Sequence, residues 1–500
     1  LQKARVSIAE FDSLASNDLR YFAREWLRRD ALMGRVELAA SDRGAALHAL
    51  ESGLDRLREN LEIMDPSAHS YLWIGVGEGL RELAHDLFAD EPKMGYGVEM
   101  LWRDLYREMG SRSVASNGGG AVADRNPKST RDTLPNALKK KSAAVMERVI
   151  SRGAIHCVYR LQGDEVWRWT VAGDGIRRDI LNSAPEELRI LVASTFDRLS
   201  RDSDGKAVST RLLKDLRKLG RTLLPEEVLT AADDSPRPTF LVTPDCCLRQ
   251  IPFDAFDTAE DGPYTPLLSK CDVAYVRFAD PAIETPPVSN GVIVVNPHPS
   301  DELQKRFPFQ QELAEAEKEG RAMAELDPSA AYFEGDSATK TTLQQSWSDA
   351  SYIYLATHTL RDPAVPYLVL IPMAVDSDDA GPHAGYLDVL DIRTSNLGGC
   401  RVAVLSGCSS GAPYMAGGSP GPSLGDAFLD AGVGAVIQTF WDVKDDDARE
   451  LMTAFVKLWK GTCMNEVKTL SEARRRAMIS PEGVRNPSSW ASYSIKLSRL

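Results

Sequence analysis

The spacing of hydrophobic positions changes twice along this chain. Up to about residue 110, apolar side chains recur every three or four residues, as in Leu47, Leu50, Leu54, Leu57 and Leu61. That spacing places them on one face of an α-helix. Residues 1–112 are therefore expected to form an all-α arm. Between 113 and 142 the period is lost in Gly118-Gly119-Gly120, Asn126-Pro127 and Lys139-Lys140-Lys141, a composition that reads as a flexible linker with a solvated basic run. From Ala154 onward, short apolar and β-branched runs take over. Ile155–Leu161 and Glu165–Val171 flank Gly163-Asp164 and predict a hairpin. Helical spacing follows to about Leu229. Strands are then predicted at Phe240–Val242, Val273–Val276 and Val292–Val295, and a helix across Gln310–Leu326. Strands alternating with helices imply an α/β fold, a mostly parallel sheet flanked by helices.

Two further runs read as buried strands, Tyr352–Thr357 and Arg401–Ser406, and each leads to a reactive side chain. The first meets His358. The second meets Cys408, within Leu405-Ser406-Gly407-Cys408-Ser409-Ser410-Gly411. If the two strands lie parallel in one sheet, both residues emerge at its carboxyl edge, where ligand sites of open α/β sheets lie. A thiol and an imidazole together there make a nucleophile and its base. The thiol needs the base because an ordinary cysteine is mostly protonated at neutral pH. Gly407 and Gly411 allow a tight turn and close approach of a substrate backbone. Cys408 and His358 have no further ligands at zinc-site spacing.

These runs resemble the CHAT peptidases, caspase-like cysteine peptidases of the caspase, separase and gingipain superfamily. The resemblance rests on Ala356-Thr357-His358-Thr359, the Cys408 run, Leu424–Gly432, and Thr439-Phe440-Trp441-Asp442-Val443. Upstream it includes Phe240–Asp245 leading to Leu248–Phe256, and downstream Asn486-Pro487-Ser488-Ser489-Trp490-Ala491. It implies a caspase-like fold with a degenerate, non-catalytic half at 143–285 and a catalytic half at 286–500. It also implies a Cys408–His358 dyad with an oxyanion hole made by the backbone amides of Cys408 and Thr359. Thr359 stands where the family usually has glycine, and a positive φ there would strain a threonine. The pocket for the residue before the scissile bond is implied along Val436–Asp442, with Trp441 and Asp442 as candidates. A carboxylate at Asp442 would favour a basic substrate residue; the competing role for Asp442 and its neighbours is to cap the helix starting near Asp447. Asp245 and Asp362 are weaker candidates. The Gly- and Pro-rich segment Ala412–Ser423 reads as a substrate-site loop. In the arm, Gly34, Ala46, Leu50 and Gly53 match the small and large positions of a tetratricopeptide (TPR-like) hairpin, with a generic helical bundle as the alternative.

The expectation is thus a regulated cysteine endopeptidase that cuts specific partner proteins after a basic residue. A regulatory protein or sensor would bind through the arm. Family resemblance suggests bacterial stress or anti-phage defence, with a gasdermin-like or CRISPR-associated effector as substrate. The alternatives are an inactive interaction scaffold and an acyl transferase using the same dyad. Composition narrows this modestly. Fifty-nine basic against 72 acidic residues give a net charge of −13, which disfavours direct nucleic-acid binding. Seven scattered cysteines without Cys-x-x-Cys spacing suit free thiols in a reducing cytoplasm. No apolar run is long enough for a membrane span, no signal peptide is legible from Leu1, and no cofactor or metal is expected.

Overall fold

A computed structural model describes residues 4–5, 19–63, 70–117, 133–201, 208–231, 236–277, 290–307, 313–361, 369–376, 385–407, 410–411, 415–416, 419–420, 423–462, 464–480 and 483–499. The chain divides into two compact units. The first comprises residues 1–147 with 175–178, and the second 148–174 with 179–500.

The first unit is helical. Helices α1 (Leu19–Ala39) and α2 (Arg43–Ile63) form a hairpin about Ser41, whose φ is +64°. They pack on α3 (Ser70–Leu87) through the small residues that the sequence singled out. A β-carbon on Gly34 would overlap Leu83, and one on Gly53 would overlap Leu80. Ala46, Leu50, Leu54, Leu80, Leu83 and Trp102 form the core. Buried Glu99 on α4 (Pro92–Asn117) takes a hydrogen bond from Arg81 Nε (2.9 Å) and pairs with His85 Nε2 at 2.7 Å, so its charge is matched within the apolar interior.

The expected linker at 113–142 needs correction at both ends. Helix α4 runs to Asn117, and α5 spans Leu134–Ser151, taking in all three lysines; residues 118–132 lie outside the described set. The basic run hid a helical period, because Leu138, Val145 and Val149 are buried while Lys139 and Lys140 are exposed. Ser142 Oγ donates to Leu138 O (3.0 Å), and Lys141 pairs with Asp104.

The second unit is built on one eleven-stranded sheet. Its strands are β1 (Ala154–Gln162), β2 (Glu165–Ala172), β3 (Gly175–Leu181), β4 (Thr239–Thr243), β5 (Asp272–Val276), β6 (Gly291–Val295), β7 (Ala331–Glu334), β8 (Tyr352–Ala356), β9 (Val402–Leu405), β10 (Ala435–Thr439) and β11 (Tyr493–Leu497). Their order is β3-β2-β1-β4-β5-β11-β10-β9-β8-β6-β7. The predicted hairpin is present, with His156 opposite Val171 and Gly163 at φ +56°. The pairs β1–β4, β4–β5, β5–β11, β10–β9, β9–β8, β8–β6 and β6–β7 are parallel, and β11 runs antiparallel to β10. The sheet is therefore mixed and mostly parallel, as expected. Strand β3 was not anticipated, because Arg177-Arg178-Asp179 breaks the apolar pattern. As an edge strand it has no fully buried position.

Strand alternation explains why both faces are covered. On β8, Ile353 and Leu355 face a core shared with Val292, Ala403, Val436, Trp347 and Phe428. Tyr352 and Tyr354 face the other way. Tyr354 donates to Glu319 of the helix Ala314–Leu326, and Tyr352 packs edge-on against Trp459 (5.4 Å) on a later helix, Asp445–Gly461. In the first half of the sheet, Phe240, Val242, Val273 and Tyr275 are covered by Leu188, Val192, Leu212, Leu216 and Leu219 of two helices, Pro185–Arg201 and Thr210–Leu223.

Buried charges tie the two halves together. Asp426, on the helix Leu424–Asp430, pairs with Arg277 beyond β5 and with Lys496 Nζ of β11 (2.5 Å). Arg277 also reaches Asp430 (2.8 Å). Burial pushes the Asp426 carboxyl up, but the Arg277 and Lys496 cations outweigh it and hold the group well below the usual carboxylate range. A folded-state pKa below the unfolded value of about 3.9 stabilises the protein fully at neutral pH, and this stabilisation is lost as pH falls through and below that value. Asp426→Asn is expected to cost about 3 kcal/mol at pH 7, because it leaves cations buried without their partner. The gap from wild type should shrink below about pH 4, as measured by denaturant midpoints across pH.

Candidate active site

The register between β8 and β9 sets the site. Val402 stands opposite Tyr352, and the pairing continues through Leu405 and Leu355. The offset, fifty residues, equals the separation of His358 and Cys408 in sequence. Beyond the strands the two chains stay together: Ser406 N donates to Leu355 O at 2.8 Å. Gly407 then lies against the residues flanking the imidazole. A β-carbon on Gly407 would overlap the Thr357 carbonyl oxygen and come within 3.1 Å of Thr359 Oγ1. His358 and Thr359 are half-buried at the carboxyl edge of the sheet. Cys408 and Ser409 lie outside the described residues, as does Asp362.

The segments on either side of Cys408 are held by one threonine. Thr439, the last residue of β10 and 1% exposed, donates from Oγ1 to Gly407 O (2.6 Å) and accepts from Ser410 N (3.3 Å). Its backbone completes the clamp, since Thr439 N donates to Ser410 Oγ (3.1 Å) and Gly411 N donates to Thr439 O (2.9 Å). Ser410 Oγ is also within 3.2 Å of Leu405 O. Neighbouring Gln438 is held between two glycines, since β-carbons on Gly411 and Gly425 would both collide with its side chain. Sequence reading quoted Thr439 and Ser410 only as parts of runs. Their signal was a hydroxyl at the end of the strand paired with β9.

Trp441, Asp442 and Asp245 have the following surroundings. Trp441 is a core residue: 3% exposed, it stacks on Phe440 (6.0 Å), meets Phe196 edge-on (6.1 Å) and donates from Nε1 to Ser488 O (3.2 Å). Asp442 is exposed beyond the end of β10, and the helix Asp445–Gly461 follows it directly. Asp245 holds β1, accepting from Leu161 N at 3.0 Å. Thr359 is not among the non-glycine residues with positive φ, which are Ser41, Cys246 and Asn296 among the described residues. Its β-carbon therefore costs no backbone strain. Of the segment after Cys408, Met415–Ala416 and Ser419–Pro420 pair antiparallel. Among the described residues no group of three or more His, Cys, Asp or Glu could hold a metal ion, and no helix is long and apolar enough to cross a membrane.

The CHAT domain family matches residues 213–498, more than half of the chain, and the matched span holds both β8 and β9 with the turns that follow them. The chain belongs to the CHAT domain family. The match begins inside the helix Thr210–Leu223 and ends past β11, so it takes in most of the second unit but not the β1–β2 hairpin. No curated protein sequence matches the chain. Among solved structures, separase from Saccharomyces cerevisiae in complex with securin aligns with a TM-score of 0.49 and 10% identity, over 91% of this chain and 37% of separase. The Arg-specific cysteine proteinase gingipain R (RgpB) aligns with a TM-score of 0.32 and 7% identity, over 62% of this chain and 74% of that one. The CHAT chain thus spans little more than a third of the length of the separase it resembles.

If Thr439 fixes the turn around Cys408, removing its hydroxyl should misplace the nucleophile without unfolding the protein. Each hydrogen bond lost is worth about 1 kcal/mol, so Thr439→Val should slow Cys408 labelling by an active-site electrophile about tenfold. Thr439→Ser should stay within about threefold of wild type, with both read by time-resolved mass spectrometry.

Proposed function

We propose that this CHAT protein is a cysteine endopeptidase with Cys408 as nucleophile and His358 as its base. The observation carrying this reading is the in-register pairing of β8 and β9, with Gly407 packed against the residues on both sides of His358. In this mechanism the imidazole takes the thiol proton, the thiolate attacks the scissile carbonyl, and the protonated imidazole then delivers the proton to the leaving amine. The backbone amides of Cys408 and Thr359 would bind the oxyanion. The unstrained backbone at Thr359 supports a role for its amide as an oxyanion donor. The test is labelling with acyloxymethyl ketone probes on wild type, Cys408→Ala and His358→Ala. Labelling should vanish in Cys408→Ala and fall at least a hundredfold in His358→Ala, in line with the contribution of a positioned base. Equal labelling of wild type and Cys408→Ala would overturn the assignment.

Asp442 is the candidate for setting substrate choice. Asp442 is exposed beyond β10, the strand that carries the Thr439 clamp, and its carboxylate suits an arginine or lysine before the scissile bond. Asp442→Asn is expected to reduce the ratio of labelling by arginyl over leucyl probes about tenfold, the worth of one charge-assisted hydrogen bond. An unchanged ratio would remove Asp442 from the pocket. The helical unit, with its TPR-like hairpin, is the candidate binding surface for a regulatory protein or sensor. A cytoplasmic enzyme of stress or anti-phage defence, cutting a dedicated partner such as a gasdermin-like or CRISPR-associated effector, fits this arrangement. Incubation with proteins encoded beside it, followed by mapping of new termini, tests that role.

A further inference from the structure

Of the described non-glycine residues with positive φ, Ser41 turns the α1–α2 hairpin and Cys246 opens the 3-10 turn Cys246–Gln250 after β4. The third, Asn296 (φ +39°), directly follows β6 at the carboxyl edge of the sheet, beside the strand that leads to His358. Its conformation is disfavoured on two counts. Left-handed backbone is costly for any residue with a β-carbon, least so for asparagine and aspartate. The ring of Pro297 also restricts the residue before it toward extended backbone. Such a conformation persists only where the surroundings hold it, and it concentrates at functional sites.

Asn296 is 2% exposed, and three hydrogen bonds hold it. Its backbone N–H donates to Ala356 O at 2.9 Å, continuing the β6–β8 ladder past Val295. Its side chain turns to the helix Ala314–Leu326, where Nδ2 donates to Glu317 Oε1 (2.9 Å) and Oδ1 accepts from Leu313 N (3.4 Å) at the N-cap. Glu317 Oε2 is in turn within 3.5 Å of Arg321 Nη2, one turn along the helix. The same helix is anchored to β8 by Glu319, which accepts from Tyr354. One side chain thus joins the end of β6, the end of β8 and the start of a helix. On the other side of β8, the Thr357 carbonyl lies against Gly407, where a β-carbon would overlap it. The two peptide groups that lead into His358 are therefore held from opposite sides, Ala356 O by Asn296 and Thr357 O by the turn after β9. The imidazole is carried on the next α-carbon.

We propose that Asn296 is a positioning residue for His358, acting through the Ala356 carbonyl to set where the imidazole stands relative to Cys408; this rests on the Cys408–His358 dyad proposed above. The bonds to Glu317 and Leu313 offset the cost of the left-handed conformation. Losing one of them lets the backbone relax, draws the Asn296 N–H off Ala356 O, and frees one of the two holds on the chain before His358. Thr439 then holds the segments on either side of Cys408, and Asn296 holds the segment before the base. Glu317, whose side chain is 31% exposed, enters as the residue that fixes Asn296.

The test is the rate of Cys408 alkylation by iodoacetamide in the full chain, read by peptide mass spectrometry. The rate follows the thiolate that the base sustains, and His358→Ala sets the value for a thiol without its base. Asn296→Asp keeps a side chain that tolerates positive φ and the acceptor for Leu313 N, but loses the donor to Glu317. It should slow Cys408 about fivefold, toward the His358→Ala rate. Glu317→Ala, which leaves the strand untouched, should slow it about threefold. Asn296→Asp combined with Glu317→Gln reverses the direction of the hydrogen bond and should return the rate to within about twofold of wild type. Buried Cys157, Cys271 and Cys400 report on folding in the same digest and should stay unalkylated in every variant. Slower Cys408 labelling accompanied by alkylation of those three would show a merely structural role and overturn the proposal. A double variant no faster than Asn296→Asp overturns it as well. Equal Cys408 rates in wild type and His358→Ala overturn the dyad and this proposal with it, whereas a His358-dependent rate that Asn296→Asp leaves unchanged overturns this proposal alone.

Discussion

The pairing of β8 with β9 is the constraint on which the rest depends. Two parallel strands have only one register that buries both apolar faces, and a slip of one residue would turn Ile353 and Leu355 away from their core. That register brings the turn after β9 against the turn after β8, so a packing requirement becomes a chemical one. The strands on either side reinforce it. β6 fixes β8 from one side, and Asn296, just past the end of β6, donates its amide to Ala356 O at 2.9 Å. β10 fixes β9 from the other side and supplies Thr439. The apolar interior sets the alignment, and a few polar contacts at the strand ends refine it.

Polar groups in the interior do a second job. Arg474 and Arg475, on the helix Glu466–Met478, lie late in the chain but both reach residues before 280, and Arg474 also donates to Tyr493 O (2.8 Å). Arg475 reaches Asp272 (2.5 Å) and Leu268 O (2.8 Å), while Arg474 pairs with the fully buried Asp254 (2.7 Å). Together with the Asp426 cluster, these contacts fix how the halves meet. Removing either member of such a pair strands a charge in a low-dielectric interior, which makes the junction specific as well as stable.

Much of this architecture was legible in the sequence because its signal is local. β1, β2, β4, β5, β6, β8 and β9 are short apolar runs bounded by turns, and each sits within a residue or two of its expected place. What stayed hidden depended on partners distant in sequence. The helix through Lys139–Lys141 is defined by Leu134, Leu138 and Val145, whose period is obvious only once their burial is known. Edge strand β3 needs just one neighbour and so has no apolar alternation to reveal it. Trp441 looked like a pocket residue because of its place in a motif, yet the Phe196 and Phe440 rings claim it for the core. Thr439 shows the opposite case: a residue with no conspicuous chemistry whose role comes entirely from what β10 lies beside. Cys408 and His358 stood out because their reactivity is visible in the letters themselves.

Strand β11 joins the two halves of the sheet, pairing in parallel with β5 and antiparallel with β10. Those neighbours are separated from each other by well over a hundred residues of chain, and β11 follows both of them. As the polypeptide leaves the ribosome, β5 and then β10 are therefore complete while still exposing an unpaired edge, the condition in which nascent chains are most prone to mispairing and chaperone capture. Only when Tyr493–Leu497 emerges can it slot between them and close the sheet. Thr439, which bonds to Gly407 and Ser410, lies in that same row beside Tyr493. The order of synthesis thereby leaves the sheet beside the candidate site unfinished until Tyr493–Leu497 is made.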